Sequence, residues 1–271
     1  MIIDVHQHFY PDRLAPKVLS KLAAASGLTP LTDGTLADTL AKNRQWGIDK
    51  AVLLPVATSP DCEAVNRFAL SCAGEQIIPF GAVHPDTPEP EALLERLQAA
   101  GCKGIKLHPQ YQGADIDDPR NLRLIRRAAR LGLPVLFHAG YDPGLPPPWR
   151  AAPAAIARLL DQVEGLPGLT LIAAHLGSLD MYDQVEKLLA GRDLWFDTAM
   201  LHGRISREQL CRIIERHGWQ RVLLGSDCPW QSGADAVADI RALGLSREAE
   251  RAILGGNAAR LFGVEKQSCD S

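Results

Sequence analysis

Eight short apolar runs, each followed by a segment of helical character, recur along this chain. They are Ile2–Val5, Ala51–Val56, Ile77–Val83, Gly104–Leu107, Val135–Phe137, Leu169–Ala174, Leu194–Phe196 and Val222–Leu224. Several are continuous aliphatic stretches, as expected for parallel strands buried on both faces. Amphipathic segments lie between them. Thr35–Trp46, Glu91–Ala100 and Asn121–Leu131 stop at Gly47, Gly101 and Gly132, each a C-cap candidate. Ser206-Arg207-Glu208-Gln209 has the form of a capping box, and Ser246–Leu254 reads as a further short helix. Such alternation predicts βαβ units. An open doubly wound sheet would usually carry a glycine-rich phosphate loop after its first strand. Here the first run ends in Val5-His6-Gln7-His8 instead. The expected fold is therefore α/β: a single, distorted (β/α)₈ TIM barrel spanning residues 1–271 as one domain.

Composition matters mainly for what it excludes. The net charge is -3 and the arginines are spread along helices, so no basic face points to nucleic acid. No stretch approaches the roughly 18 apolar residues of a membrane span. The N-terminus lacks a basic n-region and a cleavage site, which makes a cytoplasmic protein the expectation. The six cysteines are scattered without a C-x-x-C pair, which argues against a zinc ribbon or disulfide framework. A small-molecule substrate is the expected partner, and the sequence leaves homo-oligomerisation open.

In a (β/α)₈ barrel the active site lies at the carboxyl ends of the strands. The runs here end in possible ligands or bases: His6 and His8, Lys106 and His108, His138, His175, and Asp227. Six of the eight histidines (His6, His8, His84, His108, His138 and His175) fall at or just past a run. Residues i and i+2 of a strand share a face, so His6 and His8 can aim both imidazoles at the barrel mouth. Neutral imidazoles suit zinc and other first-row divalent ions. His138 offers a third nitrogen ligand and Asp227 an oxygen ligand. Taken singly, each has a duller reading: a satisfied core histidine for His138, a helix N-cap for Asp227.

Together these residues carry a resemblance. Asp4-Val5-His6-Gln7-His8, Gly104-Ile105-Lys106-Leu107-His108-Pro109, Phe137-His138, Ala173-Ala174-His175, Gly225-Ser226-Asp227 and Gly256-Asn257-Ala258-Ala259-Arg260-Leu261-Phe262 occur in order. In this the chain resembles the amidohydrolase superfamily, and within it the amidohydrolase family 2 branch of metal-dependent hydrolases and decarboxylases. The resemblance implies a divalent metal, usually zinc, held by His6, His8, His138 and Asp227, with His175 in substrate activation or proton transfer. One Zn²⁺ is expected, with Mn²⁺ as an alternative. Lys106 stands where binuclear relatives carry a carboxylated, metal-bridging lysine. His108, two residues on, is not part of that pattern, so Lys106 and His108 are read as substrate-binding.

The leading expectation is a hydrolase, in which metal-activated water attacks an amide, ester or lactone bond. Asp227 takes the proton and His175 polarises the carbonyl. The alternatives are non-oxidative decarboxylation of a small carboxylic acid on the same site, with Arg150 a further candidate for acidic groups, and a non-catalytic metal- or ligand-binding barrel. Cys228 reads as a buried thiol. Trp230, Tyr141 and Trp149 are read either as pocket walls or as local packing, and His84 and His202 as candidates for the pocket rim. His217 is expected to satisfy the last carbonyls of its helix. Asn257 and Arg260 read as structural, and the tail Lys266–Ser271 as frayed.

Overall fold

The computed structural model describes residues 1–264. Its strands are β1 (Ile3–Gln7), β2 (Lys50–Leu53), β3 (Ile77–Pro79), β4 (Gly81–Ala82), β5 (Ile105–Leu107), β6 (Val135–Phe137), β7 (Leu171–Ala173), β8 (Trp195–Asp197) and β9 (Val222–Leu223). Each pairs in parallel with its neighbours, in the orders β1-β2-β3 and β4-β5-β6-β7-β8-β9. The third apolar run is thus split at Phe80. Phe80 N–H still donates to Leu53 O (3.2 Å), while Gly81 N–H donates to Gly104 O (2.9 Å). One run therefore joins both ladders, passing from one neighbour to the other. At the opposite edges Val5 N–H donates to Leu224 O (2.8 Å) and Asp227 N–H to His6 O (2.8 Å). Eight strands, one of them broken, form a distorted TIM barrel. The predicted tail segment lies outside the described residues.

Side-chain alternation sorts each strand between two cores. Ile105, Leu107, Val135, Phe137, Leu171 and Ala173 face the surrounding helices. Leu136, Ile172 and Leu223 fill the interior with Ile3, Val5 and Phe80, against Phe262 of the helix Asn257–Phe262. Lys106, between Ile105 and Leu107, therefore points inward, as does His138 beyond Phe137. Asn257 ties the last helix to the sheet by donating to Val222 O and Trp219 O (both 2.8 Å), and Arg260 in turn donates to Asn257. The structural reading of both residues is what the contacts show.

Simple alternation does not account for β1. Its register against β2 runs Asp4↔Ala51 and then Gln7↔Leu53, so β1 carries one extra residue there. Asp4 and Gln7 bond to each other, and Gln7 to Asn43 on the helix Leu36–Trp46. Ile3 and Val5 face the interior. The bulge is what lets His6 follow Val5 inward and bring His8 with it; re-aiming side chains beside active sites is a common use of bulges.

The helices cap much as their sequences suggest. Thr35 accepts Asp38 N–H, Gly47 closes that helix in the left-handed region, and Ser206 accepts Gln209 N–H. Ion pairs link neighbouring outer helices, among them Arg123–Glu91, Arg127–Glu95 and Arg212–Glu186. Being exposed and screened by solvent, they add little to stability. The five described cysteines are free. Among the described residues no helix is long and apolar enough to cross a membrane.

Candidate metal centre and active site

The strand ends bring His6, His8 and Asp227 together. Asp227 Oδ1 lies 3.1 Å from His8 Nε2 and 3.5 Å from His6 Nε2. His175 Nε2 lies 3.1 Å from His138 Nδ1, and the His138 ring stacks on His108 at 4.3 Å and 6°. Lys106 Nζ is 3.4 Å from His6 Nε2. His6, His8, Lys106, His108, His138, His175 and Asp227 thus lie in one cluster at the carboxyl ends of the strands. His138 stands beside His175 and His108, outside the tight His6–His8–Asp227 set.

Hydrogen bonds define the tautomers. His8 Nδ1 faces Leu54 O (2.8 Å), His175 Nδ1 faces Ala199 O (3.1 Å), and His6 Nδ1 faces Asp197 Oδ2 (2.8 Å). Each of these acceptors requires an N–H on Nδ1, which in a neutral ring leaves Nε2 with its lone pair. His175 Nε2 then accepts from His138 Nδ1–H. That leaves His138 Nε2 buried without a hydrogen-bond partner. Burial holds His6 and His138 well below the usual imidazole range, with the Lys106 charge next for His6 and His108 next for His138. With the rings neutral, their Nε2 lone pairs and the Asp227 carboxylate face one another at 3.1 and 3.5 Å. Such contacts are repulsive unless a cation lies between them. They match the edge of a zinc tetrahedron with bonds of about 2.0–2.1 Å, roughly 3.3 Å. The residues present fit a divalent metal.

Asp227 and His175 are held in unusual backbone geometry, with φ of 69° and 59°. The left-handed region costs a residue with a Cβ on the order of 1 kcal/mol or more. Local bonds oppose that cost. Asp4, fully buried, accepts from Ser226 N–H, Ser226 Oγ–H, His6 N–H and Gln7 Nε2–H, locking the end of β1 to the turn that carries Asp227. Burial pushes the Asp4 carboxyl up to about 6 despite these bonds. Lys106 is pulled down to about 8 by burial, against the charges of Asp197 and Asp227.

Residues missed by sequence reasoning complete the site. Asp197, wholly buried, holds His6 Nδ1 with Oδ2, and with Oδ1 accepts His175 N–H (2.8 Å) and Ala199 N–H (3.0 Å). It stands one residue beyond the run Leu194–Phe196, a strand-end position that the reading could have flagged. Tyr10 and Tyr111 lie close enough that Asp227 adds to the burial raising their pKa values. Asp142 sits 3.7 Å from His108 Nε2.

The expectations for Arg150 and His217 need correction. Arg150 is turned away, donating to Asp115 (3.0 Å). His217 does not satisfy its helix's last carbonyls: it accepts Gly191 N–H (3.2 Å) and stacks on Phe196 at 4.0 Å, while Arg221 donates to His217 O (3.0 Å). His202 pairs with Asp239 at the surface, and His84 accepts Asp86 N–H in a local turn. Tyr141 and Trp149 pack edge to face on each other (5.2 Å, 83°). Cys228 is fully buried and its thiol is pushed up by that burial, consistent with an inert core residue.

A parallel-strand barrel with metal-fit histidines and an aspartate at its strand ends defines a metal-dependent TIM-barrel enzyme. The chain belongs to the amidohydrolase family Amidohydro_2, whose model matches residues 3–264. Solved structures share the fold. 5-Carboxyvanillate decarboxylase LigW from Sphingomonas paucimobilis superposes with a TM-score of 0.70 at 18% identity, covering 97% of this chain and 99% of that one. A Pseudomonas putida protein provisionally assigned as 2-pyrone-4,6-dicarboxylic acid hydrolase has a TM-score of 0.70 at 23% identity, covering 98% of each chain. 2,6-Dihydroxybenzoate decarboxylase from Rhizobium has a TM-score of 0.70 at 18% identity, covering 97% of this chain and 98% of that one. Among curated proteins no sequence matches the chain.

Proposed function

We propose that the chain is a metal-dependent hydrolase that opens an amide, ester or lactone bond of a small molecule, with residues 1–271 acting as one domain. The observation that supports this best is Asp227 Oδ1, which meets the Nε2 atoms of both His6 and His8 at one point. His6, His8, His138 and Asp227 would hold one divalent ion, with zinc preferred by the three-nitrogen donor set and Mn²⁺ also accommodated. When bound, such an ion polarises the scissile carbonyl and makes water acidic near neutral pH.

The protein groups do the rest. Asp227 accepts the proton of the attacking water and returns it to the leaving group. His175, its Nδ1–H held by Ala199 O, takes up a proton at Nε2 and passes it on. Lys106, buried and cationic beside His6, offers a charge to a substrate carboxylate, and His108 supplies a flat ring surface beside His138.

The test is metal content per chain, measured on wild type and on Lys106→Ala, together with turnover of a lactone, ester and amide panel. One equivalent in both proteins, with a panel member hydrolysed, is the expected result. Two equivalents falling in Lys106→Ala would mean a carboxylated, bridging lysine. Protein that neither holds nor takes up zinc would overturn the metal reading.

Lys106 also favours a second reading. A buried ammonium facing the metal-fit residues suits a substrate carboxylate about to be lost as carbon dioxide, which is the chemistry named for two of the similar structures. Carbon dioxide released from a trial aromatic acid, with no ester, lactone or amide turned over, would decide for decarboxylation.

A further inference from the structure

The loop after β6 places a carboxylate at the site that no described residue neutralises. Asp142 is buried, 7% exposed, in the segment Asp142-Pro143-Gly144. Its Oδ1 accepts Gly144 N–H (2.9 Å), and Leu145 N–H donates to its carbonyl (3.2 Å), so the side chain is held by its own turn. Its Oδ2 has no hydrogen-bond partner among the described residues. His108 Nε2 is 3.7 Å away, beyond hydrogen-bond range. His108 in turn stacks on His138 and takes the edge of Tyr111 at 4.5 Å, so Asp142 borders the same cluster as the metal-fit residues. Among the described residues no lysine or arginine forms an ion pair with Asp142, and Arg150, on the same loop, is committed to Asp115.

This oxygen is not among the fully buried polar atoms that lack a partner, so it lies open to the site, where a ligand donor can bond it directly. The same oxygen would repel a second substrate carboxylate. We propose that Asp142 is a specificity-determining residue that accepts a hydrogen bond from an O–H or N–H group of the substrate. The substrate class is then a small hydroxy- or amino-bearing lactone, ester or amide, with no more than one carboxylate, which Lys106 can serve. This rests on the hydrolase reading above for the bond broken, though not for the donor recognised.

The experiment measures equilibrium binding of γ-butyrolactone, α-hydroxy-γ-butyrolactone and homoserine lactone to the zinc-loaded full chain by calorimetry, with hydrolysis followed separately. At least one donor-bearing lactone should bind about tenfold or more tightly than the plain lactone, the scale of a hydrogen bond to a charged group. Gain with the hydroxyl identifies a neutral donor; gain confined to the amine identifies a cation. Asp142→Asn keeps the acceptor for Gly144 N–H and should remove most of the gain at an unchanged melting temperature. No gain with either donor, or a gain that survives Asp142→Asn, overturns the proposal. Donor-dependent binding without turnover of any lactone would instead count against hydrolysis and leave the Asp142 assignment supported.

Discussion

Asp227→Asn should lower kcat by about a thousandfold while the protein stays folded, within the range for losing a positioned acid–base group. Asparagine has the same shape and also tolerates the left-handed backbone that Asp227 adopts at φ 69°. The backbone bonds of the turn, from Asp227 N–H to His6 O and from Trp230 N–H to Asp227 O, are untouched. What disappears is the second basic oxygen and the negative charge facing His6 and His8. Two effects then separate by measurement. Weaker metal binding is restored by raising zinc, whereas the missing proton acceptor is not. The check is steady-state turnover at saturating zinc, with melting temperature as the control for folding. Near-normal kcat under those conditions would remove Asp227 from the proton-transfer role.

His138 was legible because the fold's geometry is periodic: it ends an apolar run whose alternation separates inward from outward positions. His175 has the parity of the outward Leu171 and Ala173, and it reaches the site through the turn in which it adopts a φ of 59°. His6 and His8 were legible for a less direct reason. The i, i+2 rule pairs them correctly, but a β-bulge between Asp4 and Gln7 is what turns the pair inward, and no residue in Asp4-Val5-His6-Gln7-His8 announces a bulge. The broken third strand was hidden as well. Ile77–Val83 reads as one strand because the split at Phe80 follows from ring closure, with Phe80 packed so closely over Gly104 that a Cβ there would lie 2.5 Å from the ring. Asp142 and Arg150 show where sequence reasoning ends. Both lie in a proline-rich loop with no period, so only coordinates could show that the carboxylate faces the site and the guanidinium does not.

Asp197→Asn carries the second large expectation, a loss of about ten- to a hundredfold in zinc affinity, the usual scale for the carboxylate behind a metal-ligating histidine. Asp197 touches no substrate in this reading; it is a positioning residue. Its Oδ2 holds the proton of His6 on Nδ1, which frees Nε2 for the metal, and its Oδ1 steadies the β7 turn through His175 N–H. An asparagine can keep its oxygen on only one of these two sides. With oxygen toward His175, its amide nitrogen faces His6 and drives that ring to the opposite tautomer, with a proton on Nε2 where the metal would bind. With oxygen toward His6, the amide hydrogens meet the backbone N–H groups of His175 and Ala199 in a fully buried space. Either arrangement weakens the site through geometry. Competition against a chelator gives the affinity, and kcat at saturating zinc separates a positioning role from a direct one. Weak affinity with kcat largely restored by excess zinc is the expected pattern. Unchanged zinc affinity would mean that His6 is oriented by something other than Asp197, and the tautomer argument for the whole donor set would lose its first step.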